Sequence, residues 1–134
     1  MSASVTPRRP ANRRRPVRPS GRRFAVVLAV QSATLAVFAT LHLTGALRIG
    51  ASGRSYGAGV AEGLICVALA GGAWALARTE PARGRRVALS ALGFAIFGFF
   101  VGLSFTVGSG DTIDLVYHAV MLPVLIVTAL LMAV

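Results

Sequence analysis

The sequence predicts an all-α protein, a four-helix transmembrane bundle of up-down-up-down topology that follows an arginine- and proline-rich arm. Three observations carry this. The chain of 134 residues is 55% hydrophobic and 13% charged, whereas roughly a quarter of the residues in a soluble domain carry charge. Its apolar residues gather into four runs, 24–47, 57–77, 87–107 and 114–134. At ~1.5 Å rise per residue, a helix of such length crosses the ~30 Å hydrocarbon core of a bilayer. The runs also lack the alternation of barrel strands, which leaves helix as the way to satisfy each backbone donor inside lipid.

Residues 1–23 form the arm, with four prolines, eight of the fourteen arginines and almost nothing apolar. Such a segment cannot bury enough surface to offset chain entropy, so disorder is expected, with extended stretches near the prolines. Beside an anionic inner leaflet each arginine contributes ~1 kcal/mol of attraction, which makes anionic lipid headgroups an expected partner of the arm. The first span has the basic flank of a signal peptide, but its apolar run reaches Leu47, well beyond a ~7–15-residue signal core, and an uncleaved anchor is favoured.

The second span holds the one cysteine, Cys66, which excludes an intramolecular disulfide and reads as packing. Gly59 with Gly63, and Gly98 with Gly102, are small-xxx-small pairs on the second and third spans. Missing side chains there let backbones approach, either within the bundle or against another copy or a partner membrane protein. The fourth span contains Pro123, which frees the carbonyl of Ala119 and predicts a kink. The links 48–56, 78–86 and 108–113 are short, which forces consecutive helices to run antiparallel.

A formal net charge of +10 would suit a nucleic-acid binder, but its distribution points elsewhere. Eight arginines precede the first span, and Arg78, Arg83, Arg85 and Arg86 lie around the link between the second and third. Only Arg48 and Arg54 lie on the other side. Twelve against two is the positive-inside pattern, and it predicts a multi-pass protein of the cytoplasmic (inner) membrane, both termini cytoplasmic, with the bilayer and not nucleic acid as its partner.

That topology assigns depth to the few ionisable groups. His42 lies five residues before the end of its apolar run, Glu62 five residues into the second, and His118 four beyond Asp114 at the start of the fourth. All share one level near the outer face. On a helical wheel Gln31, Thr34, Phe38 and His42 form one stripe, Gly59, Glu62, Cys66 and Ala73 a second, and Asp114, His118, Met121, Leu125 and Thr128 a third. A charge in hydrocarbon costs several kcal/mol unless paired or wet, so these stripes should face inward. The expectation is a polar cluster of His42, Glu62, Asp114 and His118, with Thr44, Thr106, Asp111 and Tyr117 at its rim.

Such a cluster is open to a structural reading, in which Glu62 pairs with Arg48 or His42, Asp114 caps the fourth helix and His118 bonds Asp114. It is equally open to proton exchange or to a divalent metal such as zinc. Haem held by His42 and His118 is disfavoured, because Glu62 and Asp114 would crowd an apolar macrocycle with negative charge. Nothing resembles a nucleophile with its base, or a phosphate loop after a strand, so the chain reads as no enzyme and as needing no resident cofactor. An accessory or scaffold role through helix packing is the leading expectation, and proton- or metal-linked transport or sensing the alternative.

H-L-T-G at His42 to Gly45, A-E-G at Ala61 to Gly63 and D-x-x-x-H at Asp114 to His118 resemble the layout of small uncharacterised four-helix integral membrane proteins of GC-rich bacteria. The complete absence of lysine among the basic residues suits such a genome. The acidic residue early in the second of four spans is also similar to DoxX-like proteins. The resemblance implies the fold and a membrane location.

Overall fold

The computed structural model describes residues 19–46, 55–107 and 112–134. These form four helices, α1 (Pro19–Leu43), α2 (Ser55–Arg78), α3 (Pro81–Thr106) and α4 (Thr112–Ala133), with no strand among the described residues. All four are long and apolar enough to cross a membrane. The expected arm falls on residues outside this description except for its last few, and so do Arg48, Arg54 and Asp111.

Consecutive helices pack on one another, α1 on α2, α2 on α3 and α3 on α4. The α2–α3 link is only Thr79 and Glu80, and Arg85 at the start of α3 donates to the carbonyl of Ala133 at the end of α4. Both facts demand antiparallel neighbours. The ring of four closes through side chains between α1 and α4. Gln31 donates to Thr128 Oγ1 at 2.9 Å, and the rings of Phe38 and Tyr117 stack with centroids 3.6 Å apart.

The helix ends depart from the hydropathy runs for readable reasons. The third helix begins at Pro81 and not at Val87. Proline suits the first helical turn, where its missing N–H is not needed, and the Glu80 side chain accepts from the backbone N–H groups of Ala82 and Arg83. Arg83, Arg85 and Arg86 therefore ride on the helix and not in a loop. The first helix stops at Leu43, four residues before its apolar run ends, because Gly45 takes a φ of +74°. That left-handed turn is cheap only for glycine and ends a helix. Helix α4 runs unbroken through Pro123.

The core is a ladder of Leu28, Leu35, Leu69, Leu92, Phe99 and Leu125 with small alanines between. The outside is as apolar as the inside. Val30, Val67, Phe97, Phe105 and Leu130 are all exposed, a surface suited to lipid tails and not to water. Tyr56 and Trp74, also exposed, sit 18 positions apart on α2, ~27 Å along the axis, the separation of the two aromatic belts of a bilayer. Hydroxyls that would face lipid turn back on their own helix: Thr34 to Val30, Thr40 to Ala36, Ser104 to Val101. Each backbone carbonyl serves as the acceptor that lipid cannot supply.

Small residues set how closely the helices approach. A Cβ on Gly59 would come within 2.9 Å of the Ala39 carbonyl on α1, and one on Gly98 within 2.6 Å of Ile65 on α2. Gly72, which the sequence pattern does not single out, would bring a Cβ tight against Leu28 at 3.1 Å and the Ala88 backbone at 3.2 Å. Gly63 differs from its partner in the motif, since nothing lies within 4 Å of a Cβ there.

Candidate functional site

The end of α1, the start of α2, the end of α3 and the start of α4 meet at one end of the bundle, as antiparallel packing requires. His42 is the penultimate residue of α1, Thr106 the last of α3 and Asp114 the third of α4. Glu62 lies two turns into α2, above Gly59, whose bare backbone lets α1 come close enough for contact.

His42 and Asp114 are 1% and 0% exposed, and Glu62 and His118 are buried as well. His42 Nδ1 lies 2.8 Å from Glu62 Oε2. A carboxylate accepts only, so the imidazole donates. The opposite nitrogen, Nε2, faces Asp114 Oδ1 at 3.8 Å, and it is buried with no hydrogen-bond partner among the described residues. Asp114 is held from two more directions. Thr106 donates to its Oδ2 at 2.7 Å, and His118 Nδ1 donates to its backbone carbonyl at 2.9 Å while lying 3.2 Å from Oδ1. The i, i+4 spacing of Asp114 and His118 makes the last contact local.

All four expected residues therefore come together, but their roles divide. One donor atom from each of His42, Glu62 and Asp114 lies within 4.8 Å of the others. His118 stands beside this set. Its Nε2 points at α3, where a Cβ on Gly102 would sit 2.5 Å away. Gly102 is thus the notch that admits the ring, and the ring in turn steadies Asp114. That orientation leaves His42 and His118 unable to clasp a haem between them as they stand.

Of the expected rim, Thr106 lies inside the cluster, whereas Thr44 is exposed and bonds back to the Thr40 carbonyl. Thr34 and Phe38 are only partly buried. The inward face of α1 is Leu28, Gln31, Leu35, Ala39 and His42, because the α2 contact at Gly59 rotates the helix toward Ala39. The stripe on α4 is buried throughout as its periodicity predicts.

Tyr117 is the residue that sequence reasoning placed too far out. It is buried between Phe38 and Phe99, 5.5 Å from the latter by centroid, and it meets His118 edge-on. These rings form an apolar floor under the cluster. The Tyr117 hydroxyl is buried without a hydrogen-bond partner among the described residues, a state that costs about 1–3 kcal/mol. Tyr117→Phe keeps the stack and removes the hydroxyl, so it should raise the unfolding free energy by ~1 kcal/mol. Chemical unfolding in detergent measures this, and a loss of stability would show that the hydroxyl has a role in the fold.

Below that floor lies a second polar level. Gln31 meets Thr128, and Ser32 donates to the Cys66 carbonyl at 2.9 Å. Leu35, Leu125 and Phe99, all essentially inaccessible, separate the two levels with no polar atom of their own side chains. The cluster lies at one end of the bundle, with these apolar side chains between it and the second polar level.

Comparison with protein-family profiles, with curated proteins and with solved structures finds no match to this chain. The fold and its apolar exterior define a multi-pass membrane protein.

Proposed function

We propose that the protein resides in the cytoplasmic (inner) membrane with both termini cytoplasmic, and that it acts by binding a cation at the outer end of its bundle, in transport or sensing. The arginine asymmetry supports the orientation. The resemblance to small four-helix membrane proteins of GC-rich bacteria, and to DoxX-like proteins, belongs to the same proposal.

One observation carries the cation reading. Two carboxylates, Glu62 and Asp114, flank a single buried imidazole. With neutral histidines the group holds two negative charges away from water, which is costly without cations to match them. The other groups facing it are Thr106 from α3 and Tyr117 and His118 from α4. Among the described residues no arginine faces it, which supports a mobile cation, a proton or a metal ion, as the compensating charge.

A scaffold needs no such arrangement. The glycines that suggest helix association are largely used inside the chain, Gly59 against α1, Gly98 against α2 and Gly102 against His118. A homo-oligomer or partner protein would have to use other surfaces, such as that around Gly63.

The test is a stability measurement on protein reconstituted in lipid nanodiscs. The unfolding midpoint should move when the cation supply changes, by pH or by added divalent ions, and Asp114→Asn should abolish most of that movement. A control, Gln31→Leu, lies at the other polar level and should retain it. A midpoint insensitive to all cations, or equally sensitive in Asp114→Asn, would return the cluster to a purely structural role.

A further inference from the structure

We infer that the cluster is a site for one divalent metal ion of the zinc class, held directly between His42 Nε2 and Asp114, with Glu62 behind the imidazole as its orienting carboxylate. This rests on the cation reading above and names the cation.

The tautomer comes first. Glu62 Oε2 occupies the Nδ1 side of His42 at 2.8 Å, so in the neutral ring the proton sits on Nδ1 and Nε2 carries a lone pair. Metal-bound histidines show this arrangement repeatedly, the far nitrogen donating to a carboxylate that fixes the ring and raises its basicity. His42 Nε2, in a residue 1% exposed, has no hydrogen-bond partner among the described residues.

The spacing comes next. Nε2 and Asp114 Oδ1 are 3.8 Å apart, beyond hydrogen-bond length. Two lone-pair atoms facing each other at that range repel unless something positive lies between them. Two metal–ligand bonds of ~2.0–2.1 Å fit across the gap with modest closure. The charge also matches, since one dication offsets both carboxylates.

Asp114 is prepared for the task. Thr106 takes Oδ2 at 2.7 Å, and His118 Nδ1 holds the backbone carbonyl at 2.9 Å and lies 3.2 Å from Oδ1, which fixes the carboxylate with Oδ1 between His118 and His42. His118 acts here as a positioning residue, seated in the notch at Gly102. An imidazole in the donor set favours zinc and its neighbours over magnesium or calcium, which take oxygen ligands. Two protein ligands leave further positions for water, so the ion is exchangeable, as sensing or transport requires.

The experiment uses the full chain in nanodiscs, stripped with chelator, and titrated with zinc by calorimetry and with cobalt(II) by absorbance. We expect one ion per chain and the visible bands of a low-symmetry nitrogen–oxygen cobalt site. Asp114→Asn, which keeps the shape and the Thr106 bond, should weaken binding more than 100-fold and erase the bands. His42→Ala should do the same. Glu62→Gln should weaken it by about 10–100-fold with the bands retained, and Gln31→Leu should leave it unchanged.

Circular dichroism on each variant separates lost binding from lost fold. Absence of stoichiometric zinc or cobalt uptake, or uptake that survives Asp114→Asn, would overturn the inference. If uptake is absent while the unfolding midpoint still follows pH in an Asp114-dependent way, the metal assignment falls and the cation reading stands. If neither response exists, both fall.

Discussion

Replacing His42 with alanine is expected to lower the unfolding free energy by about 3–5 kcal/mol, the cost of removing one partner from a buried ionic contact. The ring lies between Glu62 and Asp114, 2.8 Å from the one and 3.8 Å from the other. Without it two carboxylates face a cavity in a low-dielectric interior, and the Glu62 oxygen that accepted from Nδ1 loses its donor. The electrostatic origin is testable by a second change. His42→Ala combined with Glu62→Gln should be more stable than His42→Ala alone, because neutralising one carboxylate relieves part of the penalty. The two substitutions are then strongly non-additive, as contacting residues are. Reversible unfolding in mixed micelles provides the cycle. A loss under ~1 kcal/mol for the single variant, with additive behaviour in the double, would mean that the cluster stores no such charge conflict.

The second large effect is expected at Gly59. A methyl group there would lie 2.9 Å from the Ala39 carbonyl oxygen, 2.8 Å from Leu43 Cγ and 3.1 Å from His42 Cβ. Two of these neighbours can move only if α1 moves, since one is backbone and the other is fixed to the residue that carries the imidazole. Gly59→Ala should therefore cost about 1–3 kcal/mol by overpacking and should draw His42 away from Glu62. Gly63→Ala, one turn along the same helix, meets nothing within 4 Å. It should be neutral or stabilising by up to ~1 kcal/mol, since alanine is the better helix former. Unfolding of the two variants side by side makes the comparison. Equal effects would mean that α1 and α2 do not meet closely at Gly59.

The site was more legible than its composition suggests, and for a definite reason. In a membrane span an ionisable side chain has very few tolerable positions, so placing His42, Glu62, Asp114 and His118 at one level and turning them inward is nearly forced once the spans are known. The pairing of Asp114 with His118 follows from spacing alone. The separation of roles does not. Whether His118 faces the centre of the cluster or α3 depends on the notch at Gly102, which lies 16 residues away in sequence and takes its meaning only from the packing of α3 on α4. Tyr117 is buried and not at the rim, because its stack on Phe38 is a contact between the first and last helices, which spacing within one helix does not reveal.

The helix termini show the same division on a smaller scale. Apolar runs mark where lipid is the better solvent, and they place four crossings correctly. They do not mark where a helix begins or stops. Pro81 with Glu80 starts α3 six residues ahead of its apolar run, and Gly45 halts α1 while the apolar composition continues to Leu47.

By itself the sequence determined the solvent, the helical class, the number of spans and the common depth of the titratable groups, because each follows from a one-dimensional quantity: length against bilayer thickness, or charge against position. Only the tertiary structure decided which nitrogen of His42 meets which carboxylate, which glycines are consumed inside the chain, and that aromatic and leucine side chains lie between the cluster and the second polar level. Those outcomes depend on the rotation and separation of helices, which are fixed by contacts between residues far apart in the chain.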